Sequence, residues 1–168
     1  MSSYIKVALP AVIEKSYQKE LTPHDLKKME QEGFDLNDPN RNMRYRLKEN
    51  FFQVNKDTEN HTPNCQYSGT TCSIVLMRGP QIVSANAGDS RAIVVDKNCH
   101  AKQLSRDHKP DCPDEHKRIM AQGGRVRPLL NHQMGGIEVG PARVWLQDVD
   151  VPGLAMSRSL GDYVAQSV

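Results

Sequence analysis

Five aspartates in this chain stand beside turn-forming residues: Asp89, Asp107, Asp148, Asp150 and Asp162. Carboxylates drawn from several loops, together with water, are what hard divalent cations such as magnesium and manganese take as ligands. Asp89 has the most ordered surroundings. It lies in Ala87-Gly88-Asp89-Ser90, between two runs rich in β-branched residues at 81–86 and 91–95, so the spacing predicts a β-hairpin with the carboxylate at its rim. An aspartate in a turn also commonly caps its own backbone. The residues alone leave both roles open and do not bring the five acids together.

Other chemistries find less support. His108, Cys112 and His116 are four apart, as zinc ligands on one helix face would be, but Pro110 and Pro113 break any continuous helix there. Ser157 and Ser159 lie near Asp162, yet no G-x-S-x-G elbow exists to expose a nucleophilic serine. The glycine pairs at 123–124 and 135–136 lack the lysine-serine ending of a phosphate-binding loop. Asp148-Val149-Asp150 reads as a solvated acidic loop.

A chain of 168 residues is about one domain, and 38% hydrophobic with 25% charged residues fits a folded globular protein. Its net charge of +2 carries no concentrated basic footprint, so nucleic acid is not an expected partner. Lys117, Arg118, Arg125 and Arg127 form a local basic group that reads as solvated surface. The four cysteines show no CxxC pairing and read as idle thiols in a reducing compartment. With no apolar run of membrane-spanning length and no secretory leader pattern, an intracellular location, cytoplasmic or nuclear, is expected.

The elements that must position these residues follow from periodicity. Residues 3–20 carry helical spacing, with Pro10 predicting a late start or a bend. Thr22-Pro23 opens a short helix that Gly33 ends; 34–40 is a loop; 41–57 is a third helix. Four short strands at 71–77, 81–86, 91–95 and 100–104 predict an antiparallel meander, and their apolar runs predict a sheet covered on both faces. A helix at 113–122 starts at a proline, with Asp114 and Glu115 facing the positive end of its dipole, and stops at Gly123-Gly124. Residues 125–168 read as loops with one short strand near 143–146, and Trp145 as a packing anchor. The fold class is α+β.

Four motifs then occur in order: Ser68-Gly69-Thr70-Thr71, SANAGDSRAIVV (84–95), LSRDHKPDCPDEHKRIMAQGG (104–124) and PGLAMSRSLGD (152–162). Together they resemble the metal-dependent serine/threonine protein phosphatases, the PPM or type 2C family. The resemblance implies a central antiparallel β-sandwich flanked by helices on both faces, here incomplete at both ends, so that residues 1–168 form a partial domain. It implies hydrolysis of phosphoserine or phosphothreonine on a protein substrate by a hydroxide held on Mg²⁺ or Mn²⁺. By position, Asp89 matches a metal-binding aspartate of an additional site beside the bridged metal pair. Asp162 matches an aspartate taken as structural, and His108 a histidine that fixes a loop.

The family's DGHGG motif and its phosphate-gripping arginine would precede Tyr4, and its later D-G and D-N metal motifs would follow Val168. Little activity is therefore expected of these residues alone, and no catalytic or substrate-binding residue is assigned. A non-catalytic binding or regulatory module on the same fold is the alternative; an unrelated α+β binding domain is a third reading. An incomplete sandwich would also leave apolar sheet face open to self-association.

Overall fold

The computed structural model describes residues 1–168, the side chain of Met134 excepted. Three helices lead: α1 (Ser2–Tyr17), α2 (Pro23–Gln31) and α3 (Arg41–His61). Helix α1 neither starts late nor breaks at Pro10. Ile5 and Leu9 are buried against Val54 of α3, and burying two such side chains stabilises by roughly 3–6 kcal/mol in all. That outweighs the approximately 3 kcal/mol a helical proline costs. Lys6 and Pro10 are both exposed, so the carbonyl deprived of its partner stays within reach of water.

Helix α2 begins as its residues predict. The Thr22 hydroxyl accepts from the Asp25 amide at 3.2 Å, and the Asp25 carboxylate accepts from the Thr22 amide at 2.8 Å. Helix α3 runs one turn beyond the expected end, to His61, whose ring stacks on Tyr4 with centroids 5.2 Å apart.

The strands come as separate small antiparallel sheets rather than one meander. Strands β1 (Gly69–Thr70), β2 (Cys72–Arg78), β3 (Gln81–Ala87), β4 (Ile93–Val95) and β5 (Ala101–Gln103) include two hairpins, β2–β3 and β4–β5, with no ladder joining β3 to β4. The physical reason is at Gly88, where φ is +102° and the chain leaves the line of β3. The stretch predicted as a hairpin turn around Asp89 is instead the bend between two hairpins.

Helices cover only one face of β2–β3. Cys72, Ile74, Leu76, Val83, Ala85 and Ala87 pack under α1 and α3, while Val75, Met77 and Ile82 on the opposite face are exposed, as are Ile93 and Val95 of β4. The expectation of two covered faces is corrected accordingly: continuous apolar runs here reflect one packed and one open face.

Residues 125–154 are also more ordered than predicted. Helix α4 (Pro113–Ala121) packs on a three-stranded antiparallel sheet of β6 (Arg125–Asn131), β7 (Ile137–Trp145) and β8 (Pro152–Leu154), around Ile119, Val144 and Val168. Gly135 and Gly136 turn the β6–β7 hairpin with φ of +77° and +81°. Gly140 and Pro141 fall where the register jumps from Arg127↔Arg143 to Leu129↔Val139. The residues that suggested loop are a turn and a bulge within a sheet. Strand β9 (Leu160–Gly161) pairs with β1, and a single helical turn, α5 (Tyr163–Gln166), follows. The whole is α+β: α1 and α3 cover one face of β2–β3, and α4 packs on the separate β6–β7–β8 sheet.

Candidate functional site

Two of the conspicuous sequence segments, 84–92 and 104–109, lie side by side and are zipped along their length. The Gly88 carbonyl accepts from the His108 amide at 3.0 Å, and the Gly88 amide donates to His108 Nδ1 at 3.2 Å. Asp89 forms an ion pair with Lys109. Arg91 grips Asp107 with two parallel bonds, Nε to Oδ1 at 2.9 Å and NH2 to Oδ2 at 2.8 Å. The Ala92 amide donates to Ser105 Oγ at 2.8 Å, and Asn86 Nδ2 spans the pair by donating to the carbonyls of Gly88 and Arg106, each at 2.9 Å.

The other two segments close on this zipper. Thr71 Oγ1 and Ser90 Oγ are 2.8 Å apart, and Gly88 lies so close to Thr71 that an added Cβ would meet its Cγ2 at 2.5 Å. The Ser157 amide donates to the His108 carbonyl at 2.9 Å. Farther along, the Asp162 amide donates to the Ser68 carbonyl at 2.9 Å, beside the β1–β9 pairing. Segments 68–71, 84–92, 104–110 and 157–162 are thus one connected structure.

A further set of contacts was not legible in the motifs. Glu115, in the first turn of α4, is buried with 3% of its side chain exposed. Its Oε1 accepts from Arg158 Nε at 2.9 Å and NH2 at 2.7 Å, and its Oε2 accepts from Arg118 NH2 at 3.2 Å. Arg118 also donates to the carbonyls of Ser157 (2.8 Å) and Val168 (3.2 Å). The one available signal was the i,i+3 spacing of Glu115 and Arg118; the acid's place in a first turn suggested a solvated dipole partner instead.

Electrostatics follow these contacts. The His108 imidazole is held below its usual range, first by burial and then by the Arg158 guanidinium. It is therefore neutral at pH 7, as Nδ1 must be to accept from Gly88. Burial pushes the Glu115 carboxyl up, but the Arg158 and Arg118 hydrogen bonds and charge outweigh it and leave it below the ordinary carboxylate range. Arg106 holds the Asp114 carboxyl down to about 2, and burial raises that of Asp162.

The predicted acids are brought together only in part. Asp89 and Asp107 share the zipper, but Asp107 faces Arg91. Asp150 lies between β7 and β8, where Arg125 (2.9 Å) and Arg127 (2.6 Å) of β6 share its Oδ1. With Arg118 on Glu115, three of the four cations read as solvated surface are in fact partnered. Trp145 is an anchor, its Nε1 donating to the Arg127 carbonyl at 2.9 Å with the Arg127 guanidinium 4.9 Å from its ring.

Among the described residues no three of His, Cys, Asp and Glu stand close enough to hold a metal ion. A bridged pair of hard cations needs several oxygen donors. Asp89, 28% exposed and neutralised by Lys109, does not by itself fit such a pair. A groove of about 520 Å³ lies elsewhere, between α3, β3 and residues 157–160, and Asp89 does not line it. Its cations are already engaged: Arg44 by Asp38, Lys48 by Glu32, and Arg118 and Arg158 by Glu115.

A family model described as Protein phosphatase 2C matches residues 11–167. The chain is 44% identical over 103 residues to a probable protein phosphatase 2C 12 of Oryza sativa subsp. japonica, covering 59% of this chain and 25% of that protein. It is 43% identical over 116 residues to a probable protein phosphatase 2C 6 of Arabidopsis thaliana, covering 66% of this chain and 22% of that protein. It therefore spans about a quarter of the length of these curated relatives. Among solved structures, a C. elegans sex determining protein superposes with a TM-score of 0.64 at 22% identity, over 96% of this chain and 32% of that one. That likeness shows a shared fold.

Proposed function

The chain belongs to the protein phosphatase 2C family, and from that premise we propose that it forms one wall of a metal-dependent phosphatase acting on phosphoserine and phosphothreonine in proteins. The observation that carries this reading is the zipper, which holds Asp89 at the rim where four family-like segments meet. In this role Asp89 would offer one carboxylate to a Mg²⁺ or Mn²⁺ ion. A metal ion there would supply Lewis-acid stabilisation of phosphoryl charge. The residues present contribute placement. His108, neutral and hydrogen-bonded on Nδ1, fixes the Gly88 backbone rather than moving a proton, and Arg91 engages both oxygens of Asp107. The four free cysteines fit an intracellular setting, and no helix among the described residues is long and apolar enough to cross a membrane.

The test is hydrolysis of a phosphothreonine peptide with and without Mn²⁺. The 168 residues alone are expected to turn over little or none. Vigorous turnover that Asp89→Asn abolishes would overturn that expectation. In-frame DGHGG, D-G and D-N motifs in the flanking coding sequence are expected as well. A second reading, a non-catalytic module on this fold, is favoured by the Asp89–Lys109 pair, since the matched carboxylate already has a cation of its own. Absence of those flanking motifs would select it.

A further inference from the structure

We propose that Glu115 is the positioning residue of the Asp89 rim: a buried carboxylate that clamps segment 157–158 onto the His108 loop and so sets where Asp89 stands. Its meaning for catalysis rests on the reading of Asp89 above; its geometry does not.

Each step is a direct contact. Glu115 holds two guanidiniums that come from different parts of the chain, Arg118 on its own helix and Arg158 forty-three residues later. Arg118 NH2 donates to the Ser157 carbonyl at 2.8 Å. The Ser157 amide donates to the His108 carbonyl at 2.9 Å, and His108 is bonded twice to Gly88, the residue before Asp89. Pro110, at the end of the same loop, is fully buried, so the loop has little room to adjust by itself.

A carboxylate this buried is a poor way to gain stability alone, because desolvation consumes much of what the ion pairs return. It is a good way to specify geometry. The planar guanidinium of Arg158 engages Glu115 through two nitrogens, Nε donating to Oε1 (2.9 Å) and Oε2 (3.1 Å) and NH2 to Oε1 (2.7 Å), which fixes angle as well as distance, whereas apolar side chains in the same space would tolerate sliding. The pair also joins the two sides of the site: α4 follows the His108 loop directly, and Arg158 begins the segment that ends at Asp162.

The experiment is amide hydrogen exchange by NMR on the whole chain, comparing wild type with Glu115→Gln and with the milder Arg158→Lys, which keeps the charge but loses the paired nitrogens. The expected result is faster exchange at the Ser157 and Gly88 amides in both variants, at least tenfold beyond any change at the amides of α3 around Val54. If Gly88 keeps its protection while Ser157 loses it, the clamp is local and the proposal fails. Uniform acceleration throughout the chain in Arg158→Lys would also overturn it, by reducing Glu115 to a general stabiliser. Should Glu115→Gln fail to fold, Arg158→Lys decides alone. Mn²⁺-induced broadening of the 88–90 amide signals in the wild type reads the metal assignment separately: its absence removes that assignment, while the exchange result still decides the positioning.

Discussion

The carboxylate of Asp162 occupies the space that a side chain on residue 69 would need. A Cβ built on Gly69 would lie 1.9 Å from Asp162 Oδ2 and 2.3 Å from its Cγ. Asp162 is held there in a left-handed conformation, φ 52° and ψ 45°, and is only 8% exposed. Glycine at 69 is thus required by a contact ninety-three positions away in the chain.

Gly69→Ala is expected to push Asp162 aside, break the β1–β9 pairing and destabilise the chain by about 1–3 kcal/mol, the usual cost of overfilling a packed site. Asp162→Gly in that background restores space and suits the left-handed backbone, so it should recover part of the loss. Thermal melts of the two single variants and the double variant check the coupling. Strict additivity would dismiss the contact.

His108 predicts a pH dependence with a definite sign. Its folded pKa is depressed by burial and by Arg158, below the value near 6.5 of a free imidazole. The stability it contributes is therefore fully present above about pH 6.5 and is lost as pH falls through the folded pKa. Urea midpoints measured from pH 8 to pH 5 should decline on the acid side, and His108→Asn, which keeps an acceptor without titrating, should flatten that decline.

Glu115 behaves in the same direction at lower pH. Its folded pKa is depressed despite burial, so the stability from its ion pairs is present above about pH 4.5 and is lost as pH falls through the folded value. Glu115→Ala leaves two guanidiniums without their partner, and a loss of about 3–5 kcal/mol is expected. Replacing all three charges, as in Glu115→Met with Arg118→Met and Arg158→Met, should recover much of the stability. It should not restore the protection of the Gly88 amide, and denaturant melts beside hydrogen exchange would reveal a failure of that split.

The open face of β2–β3 carries Met77 (68% exposed), Val75 (45%) and Ile82 (38%), with Ile93 (55%) and Val95 (53%) on β4. Exposed apolar side chains gathered on a sheet face favour association in water. Sedimentation velocity should show a weight-average mass that rises with concentration, and Met77→Lys with Ile82→Lys should suppress the rise. A chain that stays monomeric throughout would refute self-association through this face.

Local chemistry made part of the structure readable. Thr22 and Asp25 are three residues apart and satisfy each other, so the start of α2 could be placed without knowing what it packs on. Pro113 marked the start of α4 for the same reason. Helix α1 was misjudged at Pro10 because its cost is local while the compensating burial of Ile5 and Leu9 against Val54 is not. The short strand expected near 143–146 is the end of β7, whose earlier half reads as loop because Gly140-Pro141 looks like an interruption until Leu129 and Val139 pair across the bulge.

By itself, then, the sequence determined the local events: where helices begin, where glycine permits a sharp bend, and which ordered set of motifs places the chain in its family. Only the tertiary structure decided that Arg91 holds Asp107, that Lys109 neutralises Asp89, and that Glu115 lies buried between Arg118 and Arg158. An ion pair depends on separation in space. Residue type and spacing control that separation over a turn of helix, but between residues sixteen to forty-three apart it is set by the path of the folded chain.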